Sequence, residues 1–280
     1  MKYFQPKKLI FAIFASLILL VGCSSVSVRQ PLTLQGDHGR LSAVLQTPKR
    51  QQPYPLVIIL HGFNASKDMP LLTELAKQLH KHGVGTLLFD FNGHGESEGA
   101  FLDMTIPNEL EDARRVYRYA RQLPQVSSVS LVGHSQGAIV AAMLAGELGA
   151  DKIRTVALMS PAPELKDDTA GGKLFDVSFD PKNPPAFITL SNGLKVGRAY
   201  LQTTQHLPIY EVSSQYTGPV LVLHSQEDQL VPYMYGQKMS SIYSRSHLET
   251  LHGFDHNFTQ DISAAAEIVT NFLTQQLRGR

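Results

Sequence analysis

An α/β architecture, a mostly parallel twisted sheet with helices on both faces, is the fold class this 280-residue sequence predicts. Three observations predict it. Several apolar runs, such as Leu56-Val57-Ile58-Ile59-Leu60, are continuous rather than alternating, as in parallel strands covered on both sides. Between them lie segments with apolar residues at helical spacing, so strands and helices take turns along the chain. The composition, 43% hydrophobic and 18% charged, is that of an ordinary globular protein and excludes disordered and collagen-like chains.

The elements follow from the amino end. Residues 28 to 47 read as two alternating strands around the hairpin signal Gly36-Asp37-His38-Gly39. The strand at 56 to 60 comes next, then a helix carrying Leu71, Leu72, Leu75 and Leu79 and stopping before Gly83. A buried strand from Gly85 to Phe91 precedes a helix that starts around Pro107 and runs to about Gln122. Ser130-Leu131-Val132 is a strand, followed by a helix over 136 to 148 and strands at 154 to 160 and 219 to 224. Helix 233 to 242, strand 247 to 252 and helix 261 to 277 complete the series.

One stretch breaks this rhythm. Residues 161 to 215 separate two sheet strands and contain Pro161, Pro163, Pro181, Pro184, Pro185 and Pro208. Loops of such length in a compact domain are usually lids or binding elements, and this one is rich in aromatic and aliphatic residues. Short strands are expected at Asp176 to Phe179 and Phe187 to Leu190, with a tight turn at Ser191-Asn192-Gly193. The segment is read as a cap over the C-terminal edge of the sheet.

The first 22 residues read as an export signal and are excluded from the fold. Lys2, Lys7 and Lys8 precede an apolar run from Leu9 to Val21, which is too short for a spanning helix of about 20 residues. Leu20-Val21-Gly22-Cys23 matches the lipobox of bacterial lipoproteins, with the only cysteine at the position that is acylated. The expectation is a signal over 1–22, a polar tether over 23–30 and one domain over 31–280, held to a membrane of the bacterial cell envelope by lipid on Cys23 with the domain outside the cytoplasm. The formal net charge of +1 owes more than its whole value to those three lysines, so the remainder is slightly acidic. Such a surface is a poor partner for nucleic acid. A single cysteine permits no internal disulfide and no cysteine-based zinc site.

The chemistry sits in Gly133-His134-Ser135-Gln136-Gly137, a G-x-S-x-G motif between a predicted strand and a predicted helix. That context defines a nucleophile elbow, in which both glycines avoid collisions across a sharp turn and the serine hydroxyl stands at a helix N-terminus. A serine hydroxyl near neutral pH needs a general base, and the base needs an orienting carboxylate. With such an elbow the partners follow in the order Ser, acid, His. Ser135, Asp228 and His256 occur in that order, and each follows a predicted strand at its C-terminal end. Glu227 and Asp255 are the competing acids, His247 and His252 the competing histidines. In His61-Gly62-Phe63-Asn64, Gly62 allows the chain to turn inward, so the N–H groups of Phe63 and Gln136 form the expected oxyanion hole. His61, His80, His82 and His94 have no partners at ligand spacing, and no metal or other cofactor is expected.

These residues lie within longer matching segments: H-G-F at 61, F-D-F-N-G-H-G-E-S-E-G at 89, N-E-L-E-D-A at 108, G-H-S-Q-G at 133 and L-P-I-Y-E-V-S at 207. Together with the acid and histidine loops they cover nearly the whole chain after the signal. In them the sequence resembles the bacterial cinnamoyl (feruloyl) esterases of the α/β-hydrolase superfamily. The resemblance implies an α/β-hydrolase fold and hydrolysis of small-molecule esters of hydroxycinnamic acids. It further implies Ser135, His256 and Asp228 as triad, Phe63 and Gln136 as oxyanion donors, and Asp168 and Tyr200 of the cap as holders of the phenolic hydroxyls. The sequence departs from the family pattern at Ala138, where a second glycine is usual, and in the cap between Asp168 and Phe179, with Lys173 and Phe175. A general carboxylesterase, an acylglycerol lipase, a serine peptidase on the same machinery, or an anchored binding protein without catalysis stand as alternatives.

Overall fold

The third strand shows why the sheet must be covered twice. Leu56, Ile58 and Leu60 enter one hydrophobic cluster while Val57 and Ile59 enter another, and all five are buried. The computed structural model describes residue 1, residues 28–48 and residues 53–278. The expected signal, Cys23 and most of the tether lie outside the described residues.

In chain order the elements are β1 (Val28–Gln35), β2 (Arg40–Thr47), β3 (Tyr54–Leu60), α1 (Pro70–Lys81), β4 (Gly85–Phe89), α2 (Ile106–Gln122), β5 (Val126–His134), α3 (Gln136–Leu148) and β6 (Ile153–Met159). The cap follows, with α4 (Glu164–Ala170), β7 (Lys173–Leu174), β8 (Val177–Ser178), β9 (Phe187–Thr189), β10 (Lys195–Gly197), α5 (Arg198–Thr204) and α6 (Ile209–Ser213). The chain then re-enters the sheet as β11 (Val220–Ser225), α7 (Tyr233–Ser241), β12 (Ser246–Leu251) and α8 (Ile262–Arg278). The eight sheet strands are ordered β1-β2-β4-β3-β5-β6-β11-β12; β2 pairs antiparallel with both β1 and β4, and the remaining neighbours pair parallel.

Side-chain periodicity decides which helix covers which face. On α1, Leu71, Leu72, Leu75 and Leu79 pack with Ala265, Val269 and Leu273 of α8 against Val57, Ile59 and Leu223. The opposite face is covered by α2 and by α3, whose first ten residues are all buried beneath the cap. Thr105 caps α2 by accepting from the Asn108 N–H, with the proline in the first turn where its missing donor costs nothing.

The expected elements are present, with one strand shorter than expected and more structure in the cap. The strand expected to reach Phe91 ends at Phe89: the Asp90 N–H still donates to the Ser42 carbonyl of β2 at 2.9 Å, but the chain turns after it. Asp90 accepts from the Lys67 N–H, the Lys67 ammonium and the Glu96 N–H, which turns the chain toward the site. The cap holds the expected short strands but also α4, α5 and α6, whose five to seven residues are too short to show a helical period.

Candidate active site

Backbone geometry at residue 135 is the first sign of a site. Ser135 has φ 55° and ψ −123°, a left-handed conformation that a side chain other than glycine adopts at a cost of about 1–3 kcal/mol. Its N–H donates to the carbonyl of Met159 at 2.9 Å, which ties the turn to the neighbouring strand β6. The flanking glycines are there for room. A Cβ on Gly133 would stand 2.2 Å from the carbonyl oxygen of Gly137, and one on Gly137 would stand 2.2 Å from that of His61. The same packing brings the loop after β3 against the serine, where a Cβ on Gly62 would lie 2.9 Å from Ser135 Cβ. Phe63, next in that loop, and Gln136, the first residue of α3, therefore flank the serine on two sides.

Asp228 and His256 meet in the loops after β11 and β12. The Asp228 Oδ2 lies 2.7 Å from His256 Nδ1, and both residues are more than nine-tenths buried. Asp228 is held from all sides: its Oδ1 accepts from the N–H groups of Leu230 and Val231, each at 2.9 Å, and its Oδ2 also lies 3.1 Å from His224 Nε2. Burial alone would raise the Asp228 pKa, but the hydrogen bonds from His224 and His256 outweigh it and hold the carboxyl well below the usual carboxylate range. The competing acid Glu227 turns away and accepts from the Gly253 N–H at 2.7 Å. His247 pairs with Glu249 at 3.0 Å, and His252 lies 3.7 Å from Glu227. Asp255 shapes its own loop by accepting from the N–H groups of Asn257 and Thr259.

Two histidines not singled out as site residues support this arrangement. His224 Nε2 faces two acceptors, Asp228 Oδ2 and the Val231 carbonyl, both at 3.1 Å, so the network assigns its proton to Nε2. His134, the variable residue of the elbow, has Nε2 3.0 Å from the His256 carbonyl and its ring centroid 5.0 Å from that of His256. Burial lowers the His134 pKa to about 3, so it serves as a neutral strut. In a single sequence a strand histidine and a motif's variable position look like ordinary core residues, which is why neither stood out.

Ser135, His134 and His256 line one cavity of about 890 Å³ at the C-terminal edge of the sheet. Its other walls come from Phe63 and Met69 below and from Leu165, Phe175 and Leu190 of the cap above. A cavity of this size lies within the range of small-molecule sites. Asp168 and Tyr200 do not line it. Asp168 is part-buried on α4, and Tyr200 is fully buried, its hydroxyl donating to Gln136 Oε1 at 2.7 Å. Tyr200 thus stands behind Phe63, ring centroids 5.8 Å apart, and packs against the loop after β3. Among the described residues, no group of three or more His, Cys, Asp or Glu side chains is placed to hold a metal ion.

Two families match the chain: the alpha/beta hydrolase fold over residues 55–180 and the TAP-like proteins over residues 193–278. Among solved structures it is similar to Est1E from Butyrivibrio proteoclasticus with ferulic acid bound, at 30% identity and a TM-score of 0.84, over 88% of this chain and 99% of that one. Among curated proteins it is 24% identical to Protein ABHD12B of Homo sapiens, over 79% of this chain and 61% of that protein. It is also 24% identical to the lysophosphatidylserine lipase ABHD12 of Danio rerio, over 80% of this chain and 59% of that protein. The chain therefore spans about three-fifths of the length of these curated relatives.

Proposed function

The chain belongs to the alpha/beta hydrolase fold family, and on that premise we propose that it is a serine carboxylic ester hydrolase acting on small acyl esters of the hydroxycinnamoyl (feruloyl) type. The observation that carries this reading is the 2.7 Å contact between His256 Nδ1 and Asp228 Oδ2 beside a cavity that both His256 and the strained Ser135 line. A neutral imidazole whose Nδ1–H is held by a carboxylate presents Nε2 as a base. In the proposed cycle Ser135 Oγ attacks the ester carbonyl as His256 Nε2 takes its proton. The tetrahedral oxyanion is met by the N–H groups of Phe63 and Gln136, each such donor contributing about 3 kcal/mol of transition-state stabilisation. His256 then protonates the leaving alcohol, and water activated by the same base releases the acid from Ser135. The steps need no cofactor.

The ferulic acid in the Est1E structure supports the feruloyl-type choice of acyl group, and the mostly small and apolar cavity wall is compatible with it. The likeness to the lysophosphatidylserine lipase ABHD12 favours a second reading, a lipase on the same residues. For the amino end, lipidation of Cys23 and an envelope location remain part of the proposal, on the lipobox reading of Leu20 to Cys23. A substrate panel of methyl ferulate, short p-nitrophenyl esters, a lysophospholipid and an aminoacyl amide, run beside Ser135→Ala, tests the reading. It predicts turnover of methyl ferulate and the short esters, and a loss of at least about a thousandfold in the variant. Preferential turnover of the amide or the lysophospholipid would overturn the substrate choice.

A further inference from the structure

Glu164, the first residue of α4, lines the same cavity as Ser135 and His256. It is 6% exposed, and its Oε2 is buried without a hydrogen-bond partner. A buried polar atom left unpaired is costly, and one that also lines a cavity is placed to meet a partner from outside the protein. The charges around it define what that something is. Among the described wall residues the acidic groups are Asp68, Glu164 and Asp176, and none is a lysine or arginine; Lys67 and Arg29, off the wall, already pair with Asp68 at 3.2 and 3.9 Å. A ligand bearing a second anion would find no counter-ion there. The carboxylates of Asp167, Asp168 and Asp228 also act on Glu164, and the buried hydroxyls of Tyr200 and Tyr210 stand in its field.

Burial, reinforced by those carboxylates against the residue's own backbone N–H, raises the Glu164 pKa well above its ordinary value. A carboxyl kept neutral in an apolar pocket offers an O–H donor and a carbonyl acceptor at one spot, a known device for holding an uncharged oxygen. Asp168 and Tyr200, the residues that the resemblance offered for this task, are off the cavity wall.

We infer that Glu164 is a specificity-determining residue, which hydrogen-bonds an uncharged hydroxyl group on the acyl part of the ester and makes the cavity refuse esters bearing a second anion. The inference rests on the ester-hydrolase reading above and adds to it a residue and a substrate class.

Three methyl esters of one shape separate the possibilities at pH 7: cinnamate, 4-hydroxycinnamate and 4-carboxycinnamate. The full-length protein is expected to rank them by kcat/KM as hydroxy, then unsubstituted, then carboxy. Glu164→Leu is expected to cut the hydroxy-to-unsubstituted ratio about tenfold, the scale of one lost hydrogen bond. Glu164→Gln, which keeps a donor and an acceptor, should hold that ratio within about threefold, and Asp168→Ala should leave it in place. A purely structural role for Glu164 would depress all three esters together with the ratio unchanged, and that result overturns the inference. So does a ratio lost in Asp168→Ala but kept in Glu164→Leu. Labelling by a fluorophosphonate probe, run on each protein, keeps the two claims apart. A labelled, ester-cleaving enzyme with an unchanged ratio refutes the role of Glu164 alone. An intact protein that neither labels nor cleaves any ester refutes the hydrolase reading and the inference with it.

Discussion

Asp228 is one carboxylate accepting from two backbone amides and facing two imidazoles. His256 is the proposed base, so His224 acts one step back, by fixing the carboxylate that fixes the base. Replacing it with Leu removes a hydrogen bond to a charged group, which predicts a fall in kcat of about ten- to hundredfold with KM little changed. Steady-state kinetics on Ser135-labelling-competent protein checks this, and an unchanged kcat would assign His224 to packing alone. At this scale the proposed Ser135, Asp228 and His256 set could be named from the sequence because its chemistry demands three residue types in a fixed order after three strands, and the structure brings Asp228 and His256 within 2.7 Å of each other. His224 was not, since only the fold reveals that a residue four positions before the acid points back at it. Glu164 was hidden for a related reason: a glutamate at the start of a short helix reads as a solvated N-terminal acid until the cap is seen to bury it.

Between elements, a buried polar chain joins the cap to the helices α3 and α2 beneath it. Tyr200 of α5 donates to Gln136 at the head of α3, and Gln136 Nε2 donates to both oxygens of Glu109 on α2, each at 2.9 Å. Burial raises the Glu109 pKa well above 4.5, with the Gln136 hydrogen bond opposing and Asp112 adding to the rise. The folded state therefore keeps a proton on Glu109 at pH values where the unfolded chain has lost it. As pH climbs through the folded pKa, that carboxyl must ionise in an apolar site and stability is lost; below about pH 4.5 both states are protonated and the cost is absent. Glu109→Gln removes the ionisable group, so its Tm relative to the parent should climb with pH and converge with it near pH 4.5. Thermal unfolding of both proteins across that range tests the sign, and a difference that ignores pH would contradict it. The sequence showed the strands and long helices that these groups connect, because continuous apolar runs and leucine spacing are local signals. The network itself joins positions 109, 136 and 200, which no local pattern links.

Over the whole molecule, the order of strands explains where the parts face. Val28 pairs with Thr47, and Gln46 pairs with Thr86 near the start of β4, so the chain enters the sheet at the edge opposite Ser135. The sheet, its two helical layers and the existence of a cap were legible, because burial on both faces and a break in rhythm both show in one dimension. Which cap residues reach the cavity was not, since Tyr200 and Asp168 differ from Glu164 only in where short helices set them. Every functional step above requires Ser135 to be an activated nucleophile, and that is open to one direct measurement. The protein is treated with a fluorophosphonate probe and the adduct is mapped by peptide mass spectrometry, beside Ser135→Ala and His256→Ala. A single adduct on the Ser135 peptide, absent from the first variant and strongly slowed in the second, is the predicted result. Labelling confined to another residue, or undiminished ester turnover by Ser135→Ala, would contradict it.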